Sequence, residues 1–234
     1  IVINVLLMQK LFIPLLTFCF FVTINGQKLS QVNIKGNGTL DVFIISLDEN
    51  VQLYLTKDGN LSKWGYDRFM GIQENFGGQL DPYVGRVEYY TQNDDAVLQG
   101  KVKYIGRIML TYYTSFENET LKGKIKTIGS ISFDYFLNYE DAALKGNIKK
   151  IGQQNVAWYS SFDNEGYRGK LKTLGSTSFT YYSFFEDKAF RGKIKNIGGN
   201  SFVYFSSFEN FSGSLKSGSM VSTINNIKYF VLNY

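Results

Sequence analysis

Apolar and polar residues alternate along much of the chain with a period of two, the spacing that sends alternate side chains to opposite faces of a β-strand. The alternation returns on a fixed schedule. Its clearest form is Leu121-Lys122-Gly123-Lys124-Ile125-Lys126-Thr127-Ile128-Gly129. Near copies place their first glycine at Gly100, Gly123, Gly146, Gly169 and Gly192, each 23 residues after the last, and a final copy follows 21 residues on at Gly213. A fixed period of this length signals a tandem repeat. Two residues before the first glycine sit Leu98, Leu121, Leu144, Tyr167 and Phe190; two residues after it sit Val102, Ile125, Ile148, Leu171 and Ile194. Lys or Arg lies between them, so the pattern predicts a strand with one apolar and one cationic face. The first glycine shares the apolar face, where a position without a side chain leaves room for a ring.

A second glycine (Gly106, Gly129, Gly152, Gly175, Gly198) opens a turn into a second strand. That strand centres on residues 110–113, 133–136, 156–159, 179–182 and 202–205, and a further ring follows at Phe116, Tyr139, Phe162, Phe185 and Phe208. Strand parity puts Tyr112 and Phe116 on one face and Tyr113 on the other. Acidic and amide residues such as Glu117-Asn118 and Glu140-Asp141 then close the unit as a turn. Each unit reads as one β-hairpin. The predicted fold is all-β: an antiparallel meander of tandem 23-residue β-hairpin repeats forming a long, twisted, curled sheet, with its apolar face turned inward because so much apolar surface is not left open.

The regular array covers residues 100–218. Residues 27–99 read as an N-terminal β region with degenerate repeats: apolar strands at 40–45 and 51–55, a tight turn at Lys57-Asp58-Gly59-Asn60, echoes of the repeat at 59–65 and 78–85, and an irregular stretch at 66–76. Residues 219–234 read as a closing strand. Residues 1–26 have the form of a signal peptide, with Met8 as the expected start, Lys10 as the basic flank and an apolar run over 11–22 that contains Cys19. Export to the periplasm, cell surface or medium is therefore expected.

The openings Tyr167-Arg168-Gly169 and Phe190-Arg191-Gly192 resemble the MORN type of β-hairpin repeat. Here the second glycine lies six residues on, and that family's later Gly-x-Gly is missing. The rhythm of Phe162-Asp163 followed by Gly169-Lys170-Leu171 is similar to the YD repeats of bacterial toxin shells. The chain as a whole also resembles secreted repeat proteins of Gram-negative bacteria. These resemblances imply a β-rich scaffold or binding surface and no reaction.

Composition narrows the chemistry. Aromatic residues make up 17% of the 234, which suits half-buried pleated surfaces. There is no His, which removes the commonest general base and a common metal ligand, and the single Cys excludes an intrachain disulfide. No nucleophile or phosphate-loop motif is present. Acidic pairs such as Glu140-Asp141 recur once per unit, as turn residues do and a catalytic pair does not. The carboxylate and carbonyl oxygens of the acidic turns could bind calcium, but turn formation explains them more simply. No catalytic residue, cofactor site or metal site is assigned.

The net charge of +5 permits an acidic partner. The sharpest surface feature is a lysine ladder at Lys103, Lys126, Lys149, Lys172, Lys195 and Lys216, with rungs about 9–10 Å apart, two strands per rung. Beside it run Tyr113, Phe136, Tyr159, Tyr182 and Phe205. Cations interleaved with rings could hold a polyanion by charge and stacking, although a solvated face is the simpler reading. The expected function is a secreted or cell-envelope structural and interaction scaffold without catalysis. The alternatives are a binding module for an acidic glycan or other envelope polyanion, and an outer-membrane β-barrel. The expected partner is an acidic polysaccharide or another envelope protein, with no nucleic acid.

Overall fold

A computed structural model describes residues 26–67 and 79–232. The expected signal segment, with Met8 and Cys19, and most of the irregular stretch at 66–76 lie outside the described residues. The N-terminal part contributes β1 (Lys28–Ile34), β2 (Leu40–Ser46), β3 (Val51–Leu55), β4 (Leu61–Asp67), β5 (Leu80–Asp81) and β6 (Val87–Tyr89). The repeats contribute β7 (Val102–Ile105), β8 (Ile108–Tyr112), β9 (Ile125–Ile128), β10 (Ile131–Tyr135), β11 (Ile148–Ile151), β12 (Gln154–Trp158), β13 (Leu171–Leu174), β14 (Thr177–Tyr181), β15 (Ile194–Ile197), β16 (Asn200–Ser201), β17 (Val203–Tyr204) and β18 (Leu215–Ser217). β19 (Val221–Ile224) and β20 (Ile227–Val231) end the chain. As the alternation predicts, β6 to β16 pair in sequence order into one eleven-stranded antiparallel sheet.

Within a unit the hairpin turn is two residues long: Ile128 faces Ile131 across Gly129-Ser130. Gly129 has φ +53°, the conformation that such a turn asks of its first position. The first glycine of the repeat has a backbone role that strand parity does not show. Gly123 lies at φ +69° and donates its N–H to the Tyr113 carbonyl at 2.8 Å, returning the chain into the next strand.

Between units the register slips by one residue. Thr111 faces Thr127 but Tyr112 faces Ile125, so Lys126 is the extra residue of a β-bulge. The same slip leaves out Lys103, Lys149, Lys172, Lys195 and Lys216. Every ladder lysine is therefore a bulged residue. Lys124 lies outside β9, in the turn at Gly123, and its ammonium reaches the covering sheet at the Asp58 carbonyl instead of lying on the cationic face where period two alone would put it.

The inward face carries Ile125, Ile128, Phe133 and Tyr135 and their counterparts, all buried. It is covered by a second sheet of seven strands, in the order β19-β20-β1-β2-β3-β4-β5. β1 runs parallel to β20, with Val32 beside Tyr229, so both ends of the described chain build the cover. Val32, Ile34, Phe43, Leu53 and Leu55 point from it into the common core. Phe43 meets Trp158 edge-on at 6.3 Å, and Tyr229 meets Phe179 at 5.6 Å. Each such side chain contributes roughly 1.5–3 kcal/mol by leaving water.

β17 and β18 form a separate two-stranded sheet; all three strand orders are linear and each sheet keeps two edges. The β-barrel alternative is corrected on this point. Its strands would also be too short: β9 has four residues and β10 has five, whereas a membrane-crossing strand needs about 9–11. No helix among the described residues is long and apolar enough to cross a membrane.

Candidate interaction surface

The bulge aims each ladder lysine back across the preceding turn. Lys149 Nζ lies 5.3 Å above the Phe136 ring and 2.6 Å from a Glu140 carboxylate oxygen. Equivalent ion pairs join Lys103 to Asp94, Lys126 to Glu117, Lys195 to Glu186 and Lys216 to Glu209, at 2.6–3.6 Å. Lys126 also covers Tyr113, Lys195 covers Tyr182 and Lys216 covers Phe205. Lys172 covers Tyr159 at 5.2 Å, with the shorter Asp163 as its neighbouring carboxylate. In four of the five pairs the carboxylate also caps its own turn: Glu140 accepts the Leu137 N–H at 2.7 Å, and Asp94, Glu186 and Glu209 accept from Thr91, Ser183 and Ser206. The Lys149 contact and that N–H hold Glu140 below the usual carboxylate range, and the corresponding contacts of Glu209, from Lys216 and Ser206, bring it down to about 2. The cationic stripe is thus matched along its length by carboxylates.

The rings beside the ladder are also engaged. Tyr113, Tyr159 and Tyr182 are half-buried, and each hydroxyl donates to a carbonyl of the following repeat: Phe133, Phe179 and Phe202, at 2.8–3.0 Å. A second series on the inner face runs the other way. Tyr112, Tyr135 and Tyr181 donate to Val102, Ile125 and Leu171 at 2.7–2.9 Å, and Trp158 Nε1–H replaces the phenol on Ile148 at 2.7 Å. Burial pushes all of these tyrosine hydroxyls up from their ordinary range. A third series joins the turns: Asp95, Asp141 and Asp187 each accept from the backbone N–H and the hydroxyl of a serine 20 residues on, namely Ser115, Ser161 and Ser207.

One recurring position stands outside these networks. Phe116, Tyr139, Phe162, Phe185 and Phe208 are 76–97% exposed and form a row along the turns. Parity groups Phe116 with the inward Tyr112, but β8 ends at Tyr112, and the turn beyond it carries Phe116 into solvent. A large exposed apolar side chain repeated once per unit makes this row the candidate interaction surface. Phe211 is exposed too, but its ring lies 6.2 Å from the ladder ring Phe205. The acidic turns hold no group of three or more potential ligands arranged for a metal ion, among the described residues.

Comparison with known families agrees with this repeat-by-repeat geometry. Residues 89–209, just over half of the chain, match six copies of the BspA type Leucine rich repeat region. No curated protein and no solved structure matches the chain. The tandem β-repeat character implied by the MORN and YD resemblances is supported, whereas assignment to either of those families is not. The matched span contains the buried Ile125, Ile128, Ile148, Ile151, Leu171 and Leu174 of the inner face of the array. The chain belongs to the BspA-type leucine-rich repeat family.

Proposed function

We propose that this protein is an exported, non-catalytic scaffold that binds another protein through the row of exposed rings on its turns. The observation that carries this reading is the contrast within one repeat. The lysine, the ladder ring, the inner ring and the turn carboxylate each have an internal partner, while Phe116, Tyr139, Phe162, Phe185 and Phe208 face water. A ring repeated five times without an internal contact costs solubility and adds nothing to the core, so its use lies outside the chain. Rigid aromatic side chains dominate binding energy at protein interfaces. Five of them, about 9–10 Å apart, offer several weak contacts to one partner. Repeats of this family are typically surface or secreted protein-interaction modules, which agrees with export through residues 1–26.

The acidic polysaccharide expected on the ladder loses its basis, because a stripe whose lysines are matched by carboxylates presents little net field to a polyanion. The test is a comparison of two triple variants as bait against extracellular and envelope proteins of the native cells. Phe116→Ser, Phe162→Ser, Phe185→Ser should keep the melting temperature and lose a partner that the parent chain retains. Lys126→Gln, Lys149→Gln, Lys172→Gln should keep that partner. Equal retention by the ring variant and the parent removes the row from the binding surface.

A further inference from the structure

Lysines that follow the first glycine of the repeat turn inward at four positions, each over a tyrosine ring: Lys101 over Tyr112, Lys124 over Tyr135, Lys170 over Tyr181 and Lys193 over Tyr204, at 5.1–5.5 Å. Three of them are received by backbone carbonyls. Lys124 donates to Asp58 at 2.8 Å, Lys170 to Asn37 at 2.7 Å and also to Gly192, and Lys193 to Gly213. Lys101 makes no hydrogen bond through Nζ and no ion pair among the described residues. Its side chain instead lines a cavity of about 250 Å³, between the β3–β4 turn and the first repeat. Lys101, Trp64, Tyr89, Asn60 and Gly100 contribute to its lining. It is roomy over Gly100, where an added Cβ would meet nothing within 4 Å.

We infer that this cavity is a binding site for a small ring-bearing carboxylate, with the Lys101 ammonium as its anchor and Trp64 and Tyr89 as its walls. The charge argument favours an anion. Lys124, which is hydrogen-bonded to the Asp58 carbonyl, lies close enough to Lys101 for the two ammoniums to repel, and the Asp58 carboxylate also acts on Lys124. That carboxylate already accepts from Thr56 Oγ1 and from Asn60 Nδ2. A ligand carboxylate would take the place that main-chain oxygens fill at Lys124, Lys170 and Lys193, as a charge-assisted and therefore stronger bond. The ring argument comes from the walls: Tyr89 is half-exposed and Trp64 is partly buried, so both can cover an apolar or planar body. The volume lies below the roughly 300–1,000 Å³ of drug-sized sites and suits a body of one six-membered ring.

The test is a titration of the folded chain with sodium benzoate and with sodium glucuronate, which separate an aromatic body from a saccharide one. Benzamide and glucose serve as neutral counterparts. Trp64 and Trp158 are the only tryptophans, and Trp158 is buried in the core, so the Trp64 indole N–H resonance reports directly on the cavity; Trp64→Phe assigns it. At least one carboxylate should shift that resonance saturably while its neutral counterpart does so about tenfold more weakly or not at all. Lys101→Met should weaken carboxylate binding about tenfold or more, and Lys101→Arg should retain most of it. Equal binding of carboxylate and neutral counterpart, undiminished binding by Lys101→Met, or no saturable shift with either carboxylate would each overturn the site.

Discussion

The Tyr113 hydroxyl reaches across a repeat boundary and donates to the Phe133 carbonyl at 3.0 Å, while the Lys126 ammonium covers its ring at 5.2 Å. The residue with the strongest appearance of a surface binding group is a stitch between repeats. The same holds for its counterparts Tyr159 and Tyr182, and it moves attention from the strand face to the turns.

The inner tyrosines supply the most discriminating stability test. Tyr135→Phe removes a buried bond to Ile125 and leaves that carbonyl unpaired, which should cost about 1–2 kcal/mol. Tyr204 occupies the matching position, but its hydroxyl is buried without a hydrogen-bond partner. Tyr204→Phe should therefore be neutral or slightly stabilising in a denaturant titration. Equal losses in the two variants would remove the tyrosine series from the account of stability.

The two faces of one strand should respond differently. Ile148→Asp puts an unpaired carboxylate among buried aliphatic and aromatic neighbours and should cost more than about 3 kcal/mol or prevent folding. Lys149→Gln loses a half-exposed ion pair and a ring contact, together about 0.5–1 kcal/mol, and part of that loss should vanish in high salt. Comparable shifts of the unfolding midpoint would mean that the face assignment is wrong.

Stability should be flat from about pH 5 to 8, where this chain without histidine has no side chain of ordinary pKa to titrate. Asp95 is held below the usual carboxylate range chiefly by the Ser115 hydroxyl, Asp141 chiefly by the Ser161 N–H, and Asp187 chiefly by the Ala189 N–H with Ser207. A depressed folded value means that their contribution is present above the unfolded value of about 4 and is lost as pH falls through the folded one. On the alkaline side, burial brings Lys170 down to about 8, so the unfolded chain binds more protons there and stability rises between about 8 and 10. Above about 10 the unfolded tyrosines ionise before the buried ones, and stability falls. Denaturation midpoints across pH check the profile, and Asp141→Asn should flatten its acid limb.

Removal of one period separates a free array from a covered one. In an open solenoid, stability is about a sum of local terms, and deleting residues 146–168 would keep every strand in phase. Here the cover is keyed to particular rungs: Lys57 carbonyl accepts from Ile148 N–H at 2.8 Å, Lys170 reaches Asn37, and Phe43 packs on Trp158. The deletion shortens the array by about 9–10 Å beneath a sheet of unchanged width. A clear loss of stability, read by calorimetry, is expected. A deletion variant that melts with the parent would show that the cover does not depend on register.

Local pattern made much of this fold legible. The alternation around Ile125 and Ile128 marks the inner face, and Gly129 marks the turn. The placement of Lys124 is hidden because the turn at Gly123 takes it off the strand while the period-two pattern runs on unbroken in the sequence. Phe116 was grouped with Tyr112 by carrying parity past the end of the strand. The cover was illegible for another reason: the pairing of Val32 with Tyr229 spans nearly the whole chain and has no local signature. Of the candidate site, the residues of the ladder were visible, but the carboxylate and carbonyl partners that occupy them depend on the loop geometry. The exposed row was visible as a recurring ring, and only its direction was missed.

The most direct test of the central claim, that the turns and not the ladder meet the partner, is site-specific photo-crosslinking in the native cells. A benzophenone side chain is placed at position 162 in one variant and at position 172 in another. The account predicts a discrete adduct with a second protein from position 162 and none from position 172. An adduct from position 172 alone, or from neither position, would contradict it.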